Sequence, residues 1–159
     1  MNVLNIHSRN LNCSKSVLWE IVSTLATRED KIWPLEKWPP IRFKNGIKVG
    51  AEGGHGPIRY KVLQFEPGSK VVFEFQRPLG FKGLHYFELH ELAADQTEFR
   101  HTVSMQTTGT GTLIWLFAIR WLHDALLEDA LDKVENQLMN TSKRTEWNFW
   151  VRFLWYCLK

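Results

Sequence analysis

The segment GLHYFELHELAADQTEFRHTVSMQT, residues 83–107, decides how this chain is read. Its two halves alternate. Gly83–Leu92 puts His85, Phe87 and Leu89 on one face, and Thr97–Thr107 does the same with Phe99, His101, Val103 and Met105. A period of two marks half-buried strands. Ala94-Asp95-Gln96 is a turn short enough to join them antiparallel. Upstream, Lys70–Arg77 alternates Val71, Phe73 and Phe75 against polar neighbours, and Pro57–Glu66 carries Ile58, Tyr60 and Val62 on one face. Pro67-Gly68 and Pro78-Leu79-Gly80 supply the turns. The middle of the chain is therefore an antiparallel meander.

Downstream the period changes. From about 112 to 141, Leu113, Leu116, Phe117, Leu127, Leu131, Val134 and Leu138 fall near helical spacing. About 30 residues rising about 1.5 Å each give a helix of about 45 Å, long enough to cross a whole sheet. Its first half is apolar nearly all round, which predicts burial on both sides. Its second half carries Asp124, Glu128, Asp129, Asp132, Lys133 and Glu135, read as a solvated face. Ahead of the meander lie a strand over residues 2–12, a helix over 15–26 capped by Ser14, and the proline-rich loop IWPLEKWPP, 32–40. GIKVGAEGGHG, 46–56, is a glycine-rich loop or tight hairpin. The order predicts an α+β fold in which a curved antiparallel β-sheet wraps around a long C-terminal helix, with a gap for a ligand between the two. One domain over 1–142 and an aromatic, basic tail over 143–159 are expected.

The opening strand with Ser14-Lys15-Ser16-Val17-Leu18-Trp19, the WPLEKWPP stretch, GGHGPIRYKVLQFEPGSKVVFEF and the helix segment His123-Asp124-Ala125-Leu126-Leu127-Glu128-Asp129 resemble the SRPBCC superfamily. These are the START-like helix-grip proteins, including polyketide cyclase/dehydrase-type members. The likeness covers residues 1 to about 140. It implies an apolar cavity between sheet and helix, but no single chemistry, since members bind lipids, carry hydrophobic ligands, cyclise polyketides or assist partner proteins.

Composition narrows the classes. The chain has 159 residues, 44% of them apolar and 23% charged, so it is ordered. Lys and Arg number 20 against 17 Asp and Glu, a balance too mild for a dedicated nucleic-acid binder. Eight Trp and ten Phe against three Tyr must line a core, a cavity or a contact surface. Cys13 and Cys157 are too far apart in sequence for a metal knuckle or a redox pair. They read as two free thiols in a reducing compartment, with a bridge between them the less supported reading. The N-terminus has no apolar run of signal length, and no stretch reaches the roughly 20 apolar residues of a membrane span, so a cytoplasmic location is expected.

His85 and His101 stand in phase with apolar residues. They are either neutral core histidines or polar groups that orient a ligand in the cavity. Phe73, Phe75, Phe87, Phe99, Val103 and Met105 would supply its wall. Arg59 and His55, beside the GGHGP run, form either a gate that meets a ligand carboxylate or hydroxyl, or an ordinary hairpin with a surface ion pair. Tyr60 points into the pocket or to a wet rim, and Trp33 and Trp38 either cap the cavity or staple their loop to the core. An aromatase/cyclase- or dehydratase-type enzyme would use His85 or His101 to move protons. The glycine run lacks the spacing of a phosphate loop, and no nucleophile elbow exists. Asp124, Glu128 and Asp132 share a helix face, but His123 is displaced from it by about 100° of turn, so no metal and no cofactor are expected. The function favoured is binding of a hydrophobic or amphipathic small molecule, with an interaction or co-regulatory role as a third class.

The tail, TSKRTEWNFWVRFLWYCLK, has Lys143, Arg144, Arg152 and Lys159 against Glu146. Trp147, Trp150, Val151, Leu154 and Leu158 form a helical stripe. Three readings stand: the segment folds back and buries its rings, it mediates self-association, or it meets a membrane surface.

Overall fold

The computed structural model describes residues 1–157. Leu158 and Lys159, counted above in the tail's stripe and charge, lie outside the described residues. Seven strands form one antiparallel sheet: β1 (Asn2–Leu11), β2 (Arg42–Phe43), β3 (Glu52–His55), β4 (Ile58–Glu66), β5 (Lys70–Arg77), β6 (Phe81–Ala93) and β7 (Gln96–Thr107). Their spatial order is β1-β7-β6-β5-β4-β3-β2, so the first strand closes onto the last and the meander runs outward from there. In register, Phe73 lies opposite His85, Phe87 opposite His101, and His7 opposite His101 on the other side of β7. The expected in-phase set, Phe73, His85, Phe87, Leu89, Phe99, His101, Val103 and Met105, is buried.

Helix α1 (Lys15–Val22) starts at Ser14, whose side chain accepts from the Val17 amide. It is shorter than the apolar spacing to residue 26 implied. Asp30 ends it by competing for the backbone: its carboxylate accepts from the amides of Ala26, Ile32 and Trp33. The glycine-rich stretch is a real hairpin. β3 returns as β4 about Gly56, and Gly54 is obligatory because a Cβ there would lie 2.0 Å from the Ile58 carbonyl oxygen.

The long helix is continuous but not uniform. α2 (Thr110–Ile114) passes through a π-helical turn (Trp115–Ile119) into α3 (Arg120–Met139), and Asn140 ends it in the left-handed conformation. Leu126, Leu127, Ala130, Leu131 and Val134 bury one face of α3 against the main core. Two sequence expectations fail here. The first half of the helix is not buried all round: Trp115 is, while Leu113, Ile114, Leu116 and Phe117 are exposed. The acidic face of α3 is not solvated either. Asp129 and Asp132 are buried, because counter-charges arrive from β1 and from the loops.

The tail folds back onto the body. α4 (Phe149–Cys157) buries Val151, and each of its neighbouring indoles finds an acceptor: Trp147 on Asp129, Trp150 on the Phe117 carbonyl and Trp155 on the Lys37 carbonyl. Phe149, Phe153 and Tyr156 stay exposed. Cys13 and Cys157 are free thiols. No helix among the described residues is long and apolar enough to cross a membrane.

Candidate functional site

Between sheet and helix the expected wall residues pack against one another. Tyr60, Phe73 and His85 form a tight aromatic group: Tyr60 and His85 are 4.5 Å apart by ring centroid, and Phe73 stacks on His85 at 4.9 Å. Phe75 lies 4.8 Å from His85, Phe87 stacks on Phe99 at 5.5 Å, and Phe87 meets His101 at 4.6 Å. Val103 and Met105 do not join this group. They belong to a smaller cluster with Val3, Phe81 and Trp115 beneath the π-turn. Trp33 and Trp38 are buried staples. Trp33 donates to the Pro39 carbonyl and Trp38 to Asp129, and Lys133 ties the backbone of their loop to α3.

The two histidines meet each other. His85 Nδ1 is 3.3 Å from His101 Nε2, and the rings are 7% and 2% exposed. One nitrogen donates and the other accepts, so the pair's outer nitrogens, His85 Nε2 and His101 Nδ1, are one donor and one acceptor. Both are buried and without a partner among the described residues. Burial holds both imidazoles well below their ordinary range, helped by the neighbouring histidines, so both are neutral. They are part of a line of rings. His55 lies 5.7 Å from Tyr60, Tyr60 leads to His85, His101 is 5.1 Å from His123, and His123 is 5.9 Å from His7.

A cleft of about 750 Å³ opens at the β2–β5 end of the sheet. Of the expected contact residues, His55, Arg59 and Tyr60 line it. Trp33, Trp38, Phe73, Phe75, His85, Phe87, Phe99, His101, Val103 and Met105 do not. Arg42, Glu52, Gln76 and Arg77 join it, and the sequence reading did not single them out. What assembles the cleft is register. Arg42 on β2 lies opposite Gly54 on β3, Gly54 opposite Arg59 on β4, and Arg59 opposite Arg77 on β5. With strands about 4.8 Å apart, three arginines occupy one row, with a bare glycine as the gap between two of them. Only cross-strand pairing reveals this. The one local hint is an arginine at each strand end.

The electrostatics of the cleft are unbalanced. Arg59 donates to the carbonyls of Gly56 and Ile58, whereas Arg42 and Arg77 have no ion pair among the described residues. Glu52 is the one carboxylate that lines the cleft. Tyr60 is buried. Burial pushes its hydroxyl well above its ordinary range, against an opposing pull from Arg59, so it stays protonated. Burial, then the charges of His123 and Arg59, lowers His55 to about 3. The cleft thus presents fixed cations, a neutral imidazole and a phenol.

At the opposite edge of the sheet the charges are matched. Arg9 on β1 binds Glu128 at 3.0 Å and Asp132 at 3.1 Å, and also Glu135, all three on α3. Burial would push His7 down, but Asp124 and Glu128 outweigh it and raise it to about 9.

No protein-family model and no curated protein sequence matches the chain. Solved structures do. Norcoclaurine synthase from Thalictrum flavum, in complex with dopamine and hydroxybenzaldehyde, superposes with a TM-score of 0.67 at 11% identity over 91% of this chain and 90% of that one. A protein from Thermobifida fusca gives 0.64 at 11% identity, covering 91% and 99%. The Aha1 dimer from Colwellia psychrerythraea gives 0.56 at 17% identity, covering 86% and 96%. At such identities the likeness is one of architecture: the chain has a helix-grip α+β fold, a curved antiparallel sheet with a long helix, as its sequence predicted.

Proposed function

We propose that this protein binds an amphipathic small molecule whose acidic group is held by Arg42, Arg59 and Arg77 and whose apolar part lies against Tyr60 and His55. The observation that carries this reading is the row of arginines across β2, β4 and β5. Arg59 and Arg77 stand directly opposite each other on neighbouring strands, and Arg42 and Arg77 have no ion pair among the described residues, so the water-exposed row is open to an anion from outside. Charge-assisted hydrogen bonds to a carboxylate or phosphate are worth about 1.5–3 kcal/mol each, and guanidinium geometry suits such groups. A helix-grip frame holding small aromatic molecules has a precedent in the norcoclaurine synthase complex.

This reading moves the polar contacts away from His85 and His101. Neither lines the cleft, and a substrate there would reach them only through Tyr60. A proton-transfer role for the pair therefore has less geometric support than binding.

The test uses an aromatic sulfonate, anilinonaphthalenesulfonate, beside its uncharged relative N-phenylnaphthylamine. The sulfonate binds saturably, and Arg42→Met with Arg77→Met weakens it at least about tenfold, or about 1.4 kcal/mol, leaving the uncharged probe unchanged. Equal sulfonate affinity in the double variant would sink the proposal.

A further inference from the structure

The β1 edge holds more than ion pairs. His7 comes from β1, and His123 and Asp124 are adjacent on α3. His7 Nε2 is 3.0 Å from Asp124 Oδ1, and His123 Nδ1 is 3.7 Å from that same oxygen. The second distance is too long for a hydrogen bond. His123 Nδ1 is buried and has no hydrogen-bond partner among the described residues. The Asn5 side-chain oxygen, whose amide donates to Asp124 Oδ1 at 2.9 Å, is a second buried polar atom without a partner among the described residues. A buried polar atom without a hydrogen-bond partner costs stability unless something binds it.

We propose that His7, His123 and Asp124 form a binding site for a divalent transition-metal ion of the zinc type. The ligating atoms all lie within 4.8 Å of one another. A tetrahedral shell with bonds of about 2.0–2.1 Å has edges near 3.3 Å, and the two Asp124 distances straddle that value. The donor set, two imidazoles and one carboxylate, suits zinc or cobalt and leaves one coordination position open for water. An outer shell is already in place. His7 Nδ1 is 2.8 Å from Glu128 Oε1, and Arg9 holds the other oxygen of Glu128 at 3.0 Å. A carboxylate behind a ligating imidazole is the usual device that fixes the ring and its tautomer. When the ion enters, the proton now held between His7 Nε2 and Asp124 leaves to solvent, and His123 gives up no hydrogen bond.

His123 lies off the carboxylate face of the helix, which in sequence speaks against a metal here. The fold answers it by bringing His7 across from β1, so the ligands bracket the helix surface instead of sharing one stripe. Both elements are regular, and His7 is held in register opposite His101, so the donors are pre-positioned. The site is at the other edge of the sheet from the arginine cleft and does not depend on what the cleft binds.

The full-length protein, stripped with a chelator, is titrated with zinc chloride by calorimetry and with cobalt chloride by visible absorption. One ion per chain is expected with micromolar or tighter affinity, and cobalt should show the intense visible band of four-coordinate geometry. His123→Ala is the informative variant, because its Nδ1 makes no hydrogen bond whose loss would unfold the chain. It should weaken zinc at least about tenfold, Glu128→Gln should weaken it about tenfold, and the half-buried His90→Ala, away from the site, should leave it unchanged. Circular dichroism melting confirms that each variant is folded. Absence of saturable uptake of either metal, or equal zinc affinity in His123→Ala, overturns the proposal.

Discussion

The two edges of the sheet treat arginine in opposite ways. On β1, Arg9 is largely buried and meets three carboxylates of α3, Glu128, Asp132 and Glu135. On β2, β4 and β5, Arg42, Arg59 and Arg77 stand in a row with Glu52 as their cleft's sole carboxylate. The difference separates architecture from recognition. Desolvated charges must be matched within the fold, because an unpaired one is ruinous. Charges left unmatched at a cleft cost little while water reaches them and stay available to a ligand. The same substitution at the two edges should therefore give opposite results. Arg9→Met takes the counter-charge from the buried Asp132, while Glu128 keeps His7 and Glu135 keeps Lys143, and should cost about 3 kcal/mol in urea denaturation. Arg77→Met should change stability by no more than about 0.5 kcal/mol and act only on binding. Equal costs would erase the distinction.

A second matched charge tests whether the C-terminal segment belongs with the architecture. Asp129 is buried and accepts from Trp38 and Trp147 while pairing with Lys37. It thus joins the proline-rich loop, α3 and the segment leading into α4. Asp129→Ala leaves two indole donors and an ammonium without their acceptor, at a cost of about 3 kcal/mol. Limited proteolysis should then cut near residue 143 in the variant and spare the parent chain. Unchanged protection would detach the tail from this clamp.

The interior histidines lie between the two edges and predict how stability follows pH. His55 is lowered to about 3 from 6.5, and burial lowers His85 as well. Both are neutral in the fold, whereas an unfolded chain protonates them below about 6.5. Protons then favour the unfolded state, so this contribution is fully present above pH 6.5 and is lost progressively as pH falls toward 3. His85 faces His101 from the adjacent β7 and Tyr60 from β4, one strand beyond β5, and His55 has Arg59, Tyr60 and His123 as its charged or titratable neighbours. Denaturation midpoints at pH 7, 5.5 and 4.5 should fall steadily, and His85→Phe should flatten the slope. A parent chain equally stable at all three values would contradict neutral interior imidazoles.

How much of this was legible in the sequence follows from the range of each interaction. Alternation in 83–107 gave β6 and β7 and the inward-facing set, because period and burial are local properties of a strand. The pairing of His85 with His101 was within reach of the same reasoning, since both were in phase on adjacent strands. That the wall residues would close on one another, and that Val103 and Met105 would join Val3 and Trp115 instead, depends on side-chain volumes meeting in three dimensions. The arginine row was invisible because Arg42, Gly54, Arg59 and Arg77 share no sequence period. Only the register across four strands aligns them. The acidic face of α3 was misread for the same reason. Its partners His7 and Arg9 sit more than a hundred positions earlier, on a strand whose alternation gave no hint of what would lie above it.

The smallest effect is the one that most sharpens the contrast between the edges. Glu52 lines the arginine cleft as its one carboxylate, on β3 opposite Lys61. If the row is poised for an anion, Glu52 opposes that ligand across a water-filled space, where the repulsion of one charge is worth only a few tenths of a kcal/mol. Glu52→Gln keeps the shape and removes the charge. Sulfonate affinity should rise about twofold at low salt, and the gain should fade as salt screens the field over a Debye length of about 8–10 Å. Stability should not move, because Glu52 is exposed. A loss of sulfonate affinity instead would mean that Glu52 holds an arginine in place. The β2–β5 edge would then be another matched network, and the distinction between the two edges would fail at its weakest point.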